Sequence, residues 1–336
     1  MNIFAGMMIN VIQIGMGPIG IECARAVLSR PGLELVGCVD NDPGKAGKDL
    51  ARLLGGKPDA PLKVVEDISH LDLDLHNAVA VQTTGSFLRE IAPQLLSLLE
   101  RGLNVVSSAE ELLMPFFTDS VLARKIDRKA KEKGLSVLGA GINPGFLLDY
   151  LPLILCGACR EVEKIRAVRV VDSATRRRSF QAKMGAGIDL AEFERRRDVR
   201  SLGHVGSRQS VAYLAQGLDW RLDTIEEKLE PVLADRDYRT EYFSIRRGSV
   251  AGIHEVARGV VEGKEKIVLD LSMYVGAPRP HDLIVIKGNP GLKVRVEGGT
   301  PGDEASVAIL VNSVVRAAQA PPGLLTAKEL PPGRRK

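Results

Sequence analysis

Aromatic side chains are scarce in this chain: Phe, Trp and Tyr together make up 4% of its 336 residues, with a single Trp. The hydrophobic core must therefore consist mainly of Leu, Val, Ile and Ala, which suits helices layered on sheets. Because one core rarely serves a chain longer than about 250–300 residues, the length predicts two domains.

Cysteine is also rare, with only Cys23, Cys38, Cys156 and Cys159. Four cysteines in so long a chain argue against a disulfide framework. Cys156 and Cys159 have the C-x-x-C spacing of redox and metal sites, but no second pair and no nearby His accompany them. Because they follow the largely apolar run 151–155, we interpret them as buried free thiols.

Long apolar runs and a strong charge excess are absent as well. Since no run reaches 18 apolar residues, we expect no membrane span. The first residues lack the basic start of a targeting signal, so we expect a cytoplasmic protein. The net charge is only +4, and the basic residues do not form the clustered basic face that is typical of a nucleic-acid-binding protein. The five His are scattered, which argues against a metal site.

Apolar runs alternate with helical patterns in the first half of the chain. The patterns predict strands at 9–14, 33–39, 78–82, 103–106 and 135–138, and helices at 18–29, 87–101 and 119–133. Strands that alternate with helices in this way form right-handed crossovers and a parallel sheet. We therefore predict an α/β fold whose residues 1–145 form a doubly wound, Rossmann-type domain.

The pattern changes after Asn143, Pro144 and Gly145. A helix is predicted at 146–155, followed by strands at 162–171, 228–233, 241–245, 267–274 and 283–286. This half-buried patterning predicts an α+β domain over 146–300 with a mixed, largely antiparallel sheet. We expect the segment 301–320 to be a helix that returns to the first domain, and 321–336 to be a loose tail.

A glycine-rich turn follows the first predicted strand and opens the first helix. Its six residues, Gly15, Met16, Gly17, Pro18, Ile19 and Gly20, fit G-x-G-x-x-G. In this pattern the first Gly permits a tight turn, the second admits a pyrophosphate and the third allows close packing of helix on strand. The helix N-terminus adds unpaired donors and partial positive charge. The turn therefore predicts a nicotinamide dinucleotide site that includes Pro18 and Ile19.

Asp40 ends the second predicted strand, twenty residues after Gly20. A carboxylate there accepts hydrogen bonds from ribose hydroxyls and repels a 2′-phosphate, so NAD is favoured over NADP. The nearby Lys45 and Lys48 weaken that preference. Alternatively, Asp40 is an ordinary turn residue.

Three further polar residues follow predicted strands of the first domain. Thr83 and Thr84 follow the strand at 78–82, where ligands of open α/β sheets bind. Their hydroxyls would contact the cofactor, or they belong to a helix start capped by Ser86. Asn143 follows the strand at 135–138 and would place its amide near the nicotinamide, or marks a hinge between the domains.

Two adjacent acids, Glu110 and Glu111, also follow a strand. Near a dry nicotinamide pocket their repulsion would raise one pKa, so that one carboxylate acts as general base. The alternative is a helix N-terminus, where acids complement the helix dipole.

Four motifs together resemble the 2,4-diaminopentanoate dehydrogenases and related amine dehydrogenases, which share a dihydrodipicolinate-reductase-like fold. The motifs are GMGPIG at 15–20, VSSAEEL at 106–112, SVLGAGINPGFLLD at 136–149 and GHVGSRQS at 203–210. The resemblance covers about residues 9–318. It implies reversible oxidative deamination of an amine with NAD or NADP, and it assigns the base to Glu110, with Glu111 as second choice.

The segment 172–187 departs from the family pattern. Its Arg176, Arg177 and Lys183 suit a carboxylate or another anion, and with His204 they are our candidates for binding an amine or amino-acid substrate. A lone His is more often structural. The alternatives are a reductase of an imine or carbonyl intermediate, a semialdehyde-type dehydrogenase, or a non-enzymatic NAD(P) sensor. By analogy with this fold group, we expect a homodimer.

Overall fold

The computed structural model describes residues 8–56, 62–71, 75, 78–199 and 201–333. The chain divides into two compact units. The first comprises Met1–Phe146 and Gly302–Lys336, and the second comprises Leu147–Pro301.

Strands and helices alternate in the first unit. Its strands are β1 (Ile9–Ile14), β2 (Leu33–Val39), β3 (Val64–Val65), β4 (Val79–Gln82), β5 (Asn104–Ser107) and β6 (Ser136–Gly139). Its helices are α1 (Pro18–Leu28), α2 (Leu50–Leu53), α3 (Leu88–Glu100), α4 (Pro115–Thr118) and α5 (Ser120–Lys133), with 3-10 turns at Ile68–His70 and Glu110–Leu113. Neighbouring strands pair in parallel in the order β6-β5-β4-β1-β2-β3, which confirms the predicted fold class.

Alternating side chains divide this sheet between two cores. Ala80 and Val105 lie on the face that packs against α3 and α5. Val79 and Val81 point to the other face, which packs against α1. Because both faces are covered, the strands consist of almost continuous apolar runs.

Helix ends follow local capping chemistry. Pro18 opens α1, where its missing N–H costs no hydrogen bond. Before α5, the Asp119 side chain accepts a hydrogen bond from the N–H of Leu122, and Gly134 ends the helix with a positive φ of 70°. These signals explain why the predicted helix boundaries lie close to those of the structure.

The second unit is built around a six-stranded mixed sheet. Its helices are α6 (Tyr150–Cys156), α7 (Arg178–Lys183), α8 (Leu190–Asp198) and α9 (Ser207–Gly217), with a 3-10 turn at Ser173–Thr175. Its strands are β7 (Glu161–Asp172), β8 (Thr224–Leu233), β9 (Tyr238–Arg239), β10 (Ser244–Ile245), β11 (Val250–Val261), β12 (Lys264–Tyr274), β13 (His281–Asn289) and β14 (Leu292–Glu297). The sheet order is β14-β13-β7-β12-β11-β8, in which only β7 and β12 pair in parallel; β9 and β10 form a separate pair. The mixed, largely antiparallel sheet is thus confirmed.

The chain returns to the first unit through α10 (Gly302–Ala318), which joins α1 on one face of the parallel sheet. At 17 residues α10 is the longest helix described. None of the helices within the described ranges is both long and apolar enough to cross a bilayer.

The prediction of a loose tail is wrong for its first part. Residues Gly323–Leu325 form β15, which pairs in parallel with β6 at the edge of the sheet. Leu324 and Ala327 are buried, and the N–H of Leu324 donates to Asp127 Oδ1 at 3.0 Å. A short apolar run is held here because the edge of β6 offers unpaired backbone groups. Residues 334–336 lie outside the described part.

All four cysteines are free thiols, as predicted. Burial raises the pKa of Cys23 and Cys38 to about 12 and that of Cys156 to about 11. Cys159 is only half-buried, and its Sγ lies 3.1 Å from the carbonyl oxygen of Pro290. The buried thiols therefore have the low reactivity expected of core residues.

Candidate active site

The sequence-predicted residues of the first unit lie at one edge of its parallel sheet. Gly15 follows β1, Asp40 follows β2, Thr83 follows β4, Glu110 follows β5 and Asn143 follows β6. Because these strands run parallel, their carboxyl ends meet at the same edge. Ligands of open α/β sheets bind at this edge.

The glycine turn has the shape of a phosphate cradle. Gly15 has a φ of +88°, and a side chain at Gly20 would place its Cβ only 1.9 Å from the Gly15 carbonyl oxygen. A Cβ at Gly17 would meet no atom within 4 Å, and no side chain caps the N-terminus of α1. The first N–H groups of α1 therefore stand beside open space, which fits the pyrophosphate of a dinucleotide.

Side chains from neighbouring strands brace this turn. Gln13 Nε2 donates to the Gly15 carbonyl oxygen and to Thr83 Oγ1, each at 3.0 Å, and Thr83 Oγ1 lies 3.1 Å from the same carbonyl oxygen. Thr84 Oγ1 donates to Gln94 Oε1 at 2.6 Å. Both threonine hydroxyls thus support the protein itself, and their contact with a cofactor stays a prediction.

Asp40 is bonded to the glycine turn. Its Oδ2 accepts from the Met16 N–H at 2.6 Å and from Lys45 Nζ at 3.0 Å, and its Oδ1 accepts from the Asp42 N–H at 2.9 Å. Burial would raise the pKa of the Asp40 carboxyl, but these hydrogen bonds and the Lys45 charge outweigh it, so the pKa lies below its ordinary value. Asp40 is therefore ionised at neutral pH, and its oxygens keep lone pairs for a ribose hydroxyl.

The two adjacent acids have different surroundings. Glu111 Oε2 accepts a hydrogen bond from the N–H of Leu88, the first residue of α3, at 2.7 Å. The residue at the N-cap position is Phe87, so the expectation that Ser86 caps this helix is wrong. Glu110 starts the 3-10 turn directly after β5 and is half-buried. Helix capping thus accounts for Glu111, while Glu110 stays the candidate base that the motif resemblance implies.

Asn143 lies in a tightly folded turn after β6. At Gly145, where φ is +124°, a Cβ would lie 2.7 Å from the Gly141 carbonyl oxygen. The Ala140 N–H donates to the Ser107 carbonyl oxygen at 2.9 Å, which ties this turn to the strand that leads to Glu110.

The cationic candidates of the second unit gather around α7. The Arg176 guanidinium lies 4.2 Å from the centroid of the Phe180 ring, and Arg177 occupies the N-cap position of α7. The buried Gln181 side chain donates to the Arg176 carbonyl oxygen at 2.6 Å. Lys183 ends the helix.

A buried carboxylate that sequence patterning missed, Glu255, holds the turn that contains His204, and the backbone of Lys183 is bonded to the same turn. The Gly203 N–H donates to the Lys183 carbonyl oxygen at 3.3 Å, and the His204 N–H donates to Glu255 Oε2 at 2.9 Å. The Ser207 hydroxyl donates to Glu255 Oε1. Glu255 is only 5% exposed, and the signal that would have found it is a charged residue at an inward position of a strand.

In the part of the chain that the structure describes, no group of three or more His, Cys, Asp or Glu side chains is placed to hold a metal ion.

Comparison with known proteins identifies the family. The first unit is a dinucleotide-binding domain of the Rossmann class, and residues 146–334 match the model of the 2,4-diaminopentanoate dehydrogenase C-terminal domain. A 2,4-diaminopentanoate dehydrogenase of Acetoanaerobium sticklandii is 32% identical over 96% of this chain and 93% of its own. An amine dehydrogenase of Streptomyces virginiae is 27% identical, with 96% of each chain covered. The solved structure of an amine dehydrogenase from Mycobacterium smegmatis matches with a TM-score of 0.86 at 24% identity, covering 98% of this chain and 97% of that one.

The chain therefore belongs to the 2,4-diaminopentanoate dehydrogenase family, which confirms the resemblance seen in its motifs.

The capping role of Glu111 predicts a stability difference. We expect Glu111→Ala to lower the free energy of unfolding by about 1 kcal/mol, because the Leu88 N–H loses its acceptor. The exposed Glu90, in the first turn of the same helix, serves as control. Urea denaturation measures both variants, and an equal effect of Glu90→Ala would contradict the capping role.

The buried Glu255 predicts a dependence of stability on pH. Burial raises its pKa, the Glu227 charge adds to this, and the hydrogen bonds from Ser207 and His204 and the Lys183 charge oppose it. The folded state thus binds the proton more tightly, and wild-type stability falls as pH rises above the ordinary Glu pKa of about 4.3.

The Glu255→Gln variant lacks this titration, so we expect its stability relative to wild type to improve as pH rises above the ordinary Glu pKa of about 4.3. Urea denaturation at several pH values measures the difference. The exposed Glu226 on β8 gives the control Glu226→Gln, for which the difference should stay constant. A constant difference for Glu255→Gln would show that its carboxyl titrates normally.

Proposed function

We propose that this chain catalyses the reversible oxidative deamination of an amine or diamino acid, with a nicotinamide dinucleotide as hydride acceptor. One observation carries the proposal. The glycine turn at Gly15 and the candidate base Glu110 lie at the same carboxyl edge of the parallel sheet, so that a phosphate cradle and a carboxylate share one edge. The relatives named as 2,4-diaminopentanoate dehydrogenase and amine dehydrogenase support the same reaction class.

The cofactor would lie along the turn Gly15–Gly20, with its pyrophosphate on the N–H groups of α1. When bound, it supplies the hydride acceptor. The ionised Asp40 supports NAD(H) over NADP(H), because its carboxylate accepts hydrogen bonds from ribose hydroxyls and repels a 2′-phosphate. Thr83, Thr84 and Asn143 remain candidates for contacts around the ribose and nicotinamide.

Glu110 would act twice as a base. Its carboxylate takes a proton from the substrate ammonium, so that the neutral amine can lose hydride from its carbon. Glu110 passes this first proton to solvent before it acts again. The resulting iminium then reacts with water, and Glu110 takes a proton from that water as the new C–O bond forms. It returns this proton to the nitrogen of the carbinolamine, whose hydroxyl loses its proton as ammonia leaves. Loss of ammonia leaves a ketone.

The second unit supplies cations that suit an anionic group of the substrate. Arg176, Arg177 and Lys183 lie on or beside α7, where a guanidinium can hold a carboxylate with two hydrogen bonds. His204 offers a further polar contact. Such a set favours an amino acid over a simple alkylamine as substrate.

The test of the proposed base is Glu110→Gln. We expect amine-dependent reduction of NAD at alkaline pH to fall by about 10²–10⁴-fold, because the amide cannot accept the proton. Dissociation constants for NADH should change little, since the glycine turn is untouched.

Glu111→Gln is the matched control, because the amide oxygen still accepts from the Leu88 N–H, and its activity should stay near wild type. Activity that survives both substitutions would contradict the assignment. The second candidate, reduction of an imine or carbonyl intermediate, gains support if ketones are reduced without incorporation of ammonia.

We also propose a homodimer formed through the second unit. Along β7 and β13 the side chains that face one way are buried, while those that face the other way, such as Val168 and Leu283, are only half-buried. The same face carries both charges, for example Arg166 and Asp270 at 2.7 Å. Mixed charge around apolar side chains is complementary to a second copy of itself.

Light scattering after size-exclusion chromatography tests the dimer. Wild type should have about twice the chain mass of 36.3 kDa, and Leu283→Glu should shift it toward the single-chain mass, because a charge would be buried without a partner. Leu190→Glu, on the exposed side of α8, is the control. A single-chain mass for wild type would refute the dimer.

A cytoplasmic location is proposed on the state of the cysteines. All four are free thiols, which suits a reducing compartment.

A further inference from the structure

The turn that precedes α9, residues 203–207, contains two glycines, whose backbones are conformationally freer than those of other residues. Gly203 has a φ of +97° and Gly206 a φ of +104°, so both ends of the turn adopt left-handed conformations. Gly206 occupies the N-cap position of α9 and provides no side chain to cap that helix. The conformation of His204, between the two glycines, must therefore be fixed by contacts from elsewhere.

Glu255 supplies those contacts from the middle of β11. Its Oε2 accepts the His204 N–H at 2.9 Å at the start of the turn, and its Oε1 accepts the Ser207 hydroxyl at the end. A Cβ at Gly203 would lie 3.2 Å from Glu255 Oε2, so the turn is packed closely on the carboxyl. One side chain thus bridges both ends of residues 203–207.

The bridged turn connects two of the proposed substrate-binding residues. The Gly203 N–H is bonded to the Lys183 carbonyl oxygen, and His204 follows directly. His204 is half-buried, whereas Glu255 is 5% exposed. A carboxyl so deeply buried and already twice bonded is suited to hold its neighbours in place and has little surface for contact with a ligand.

We propose that Glu255 is a positioning residue of the amine site: its carboxyl clamps both ends of the turn 203–207 and thereby fixes His204. The inference rests on the proposed function, in which His204 binds the substrate. Its role is in substrate binding, since hydride and proton transfer are assigned to other groups.

Three variants separate the clamp from general stability. Glu255→Ala removes both acceptors. Ser207→Ala removes one of the two bonds and gives a milder variant if Glu255→Ala folds poorly. Glu255→Gln keeps the geometry, because its amide oxygen accepts from the His204 N–H and its amide N–H donates to Ser207 Oγ. Glu226→Gln on the exposed part of β8 is the control.

The expected result is a split between kinetic constants. Losing both bonds in Glu255→Ala should raise KM for the amine about tenfold or more, and Ser207→Ala should raise it about threefold, since it removes only one of the two bonds. The value of kcat and the dissociation constant for NADH should change less than about twofold, because the base and the glycine turn are untouched. Glu255→Gln should restore KM to near wild type.

Hydrogen–deuterium exchange of the folded wild type and variants measures how firmly the turn 203–207 is held, and it does so without any enzymatic reaction. The His204 amide should exchange faster in Glu255→Ala and at the wild-type rate in Glu255→Gln. An unchanged KM in Glu255→Ala, or failure of Glu255→Gln to restore it, would overturn the clamp. If wild type binds NADH but oxidises no amine, the proposed function fails, and exchange at His204 alone decides whether the clamp exists.

Discussion

The close approach of Gly20 to Gly15 is the contact on which the first unit depends. A Cβ at Gly20 would lie 1.9 Å from the Gly15 carbonyl oxygen, so only glycine lets α1 begin directly over the end of β1. With α1 in that place, Gln13 and Thr83 can brace the turn, and Asp40 can accept the Met16 N–H. The same arrangement leaves the first N–H groups of α1 beside open space, where a pyrophosphate can bind. The close approach of Gly20 to Gly15 therefore both stabilises the packing of α1 on β1 and shapes the site for the cofactor.

Several carboxylates in the described part of the chain hold backbone turns or helix starts. Glu111 caps α3, Asp40 holds the glycine turn and Glu255 holds the turn before α9. The fully buried Asp149 accepts the N–H of Tyr150 and the hydroxyl of Ser210, which connects α6 to α9. Each of these acids lies where backbone donors at a helix start or turn would otherwise lack partners. The proposed base, Glu110, lies at the start of the short 3-10 turn that also contains Glu111.

The second unit provides a rigid support of a different kind. Its long antiparallel strands carry one face that packs beneath helices, and short turns between those helices bring Lys183 and His204 into one neighbourhood. Substrate-binding side chains held on turns over a sheet can change without loss of the sheet.

The sequence by itself determined the features that depend on local order. Apolar periodicity placed most strands and helices of the first unit to within a few residues, and the spacing of Gly15, Gly17 and Gly20 identified the dinucleotide turn. Once the strands were known to be parallel, the grouping of Asp40, Thr83 and Glu110 at one edge followed from topology alone. In the second unit β11 escaped prediction, because its run of apolar residues with interspersed glycines and charges follows neither a period of two nor one of 3.6.

Only the tertiary structure decided what each polar side chain contacts. Glu110 and Glu111 are neighbours in the sequence, yet Glu111 bonds to a helix start 23 residues earlier. Ser207 and Glu255 are 48 residues apart, and β15 finds its partner in β6. These pairings arise because packing sets the direction of a side chain and brings distant segments together, and neither effect is encoded in any short stretch of sequence.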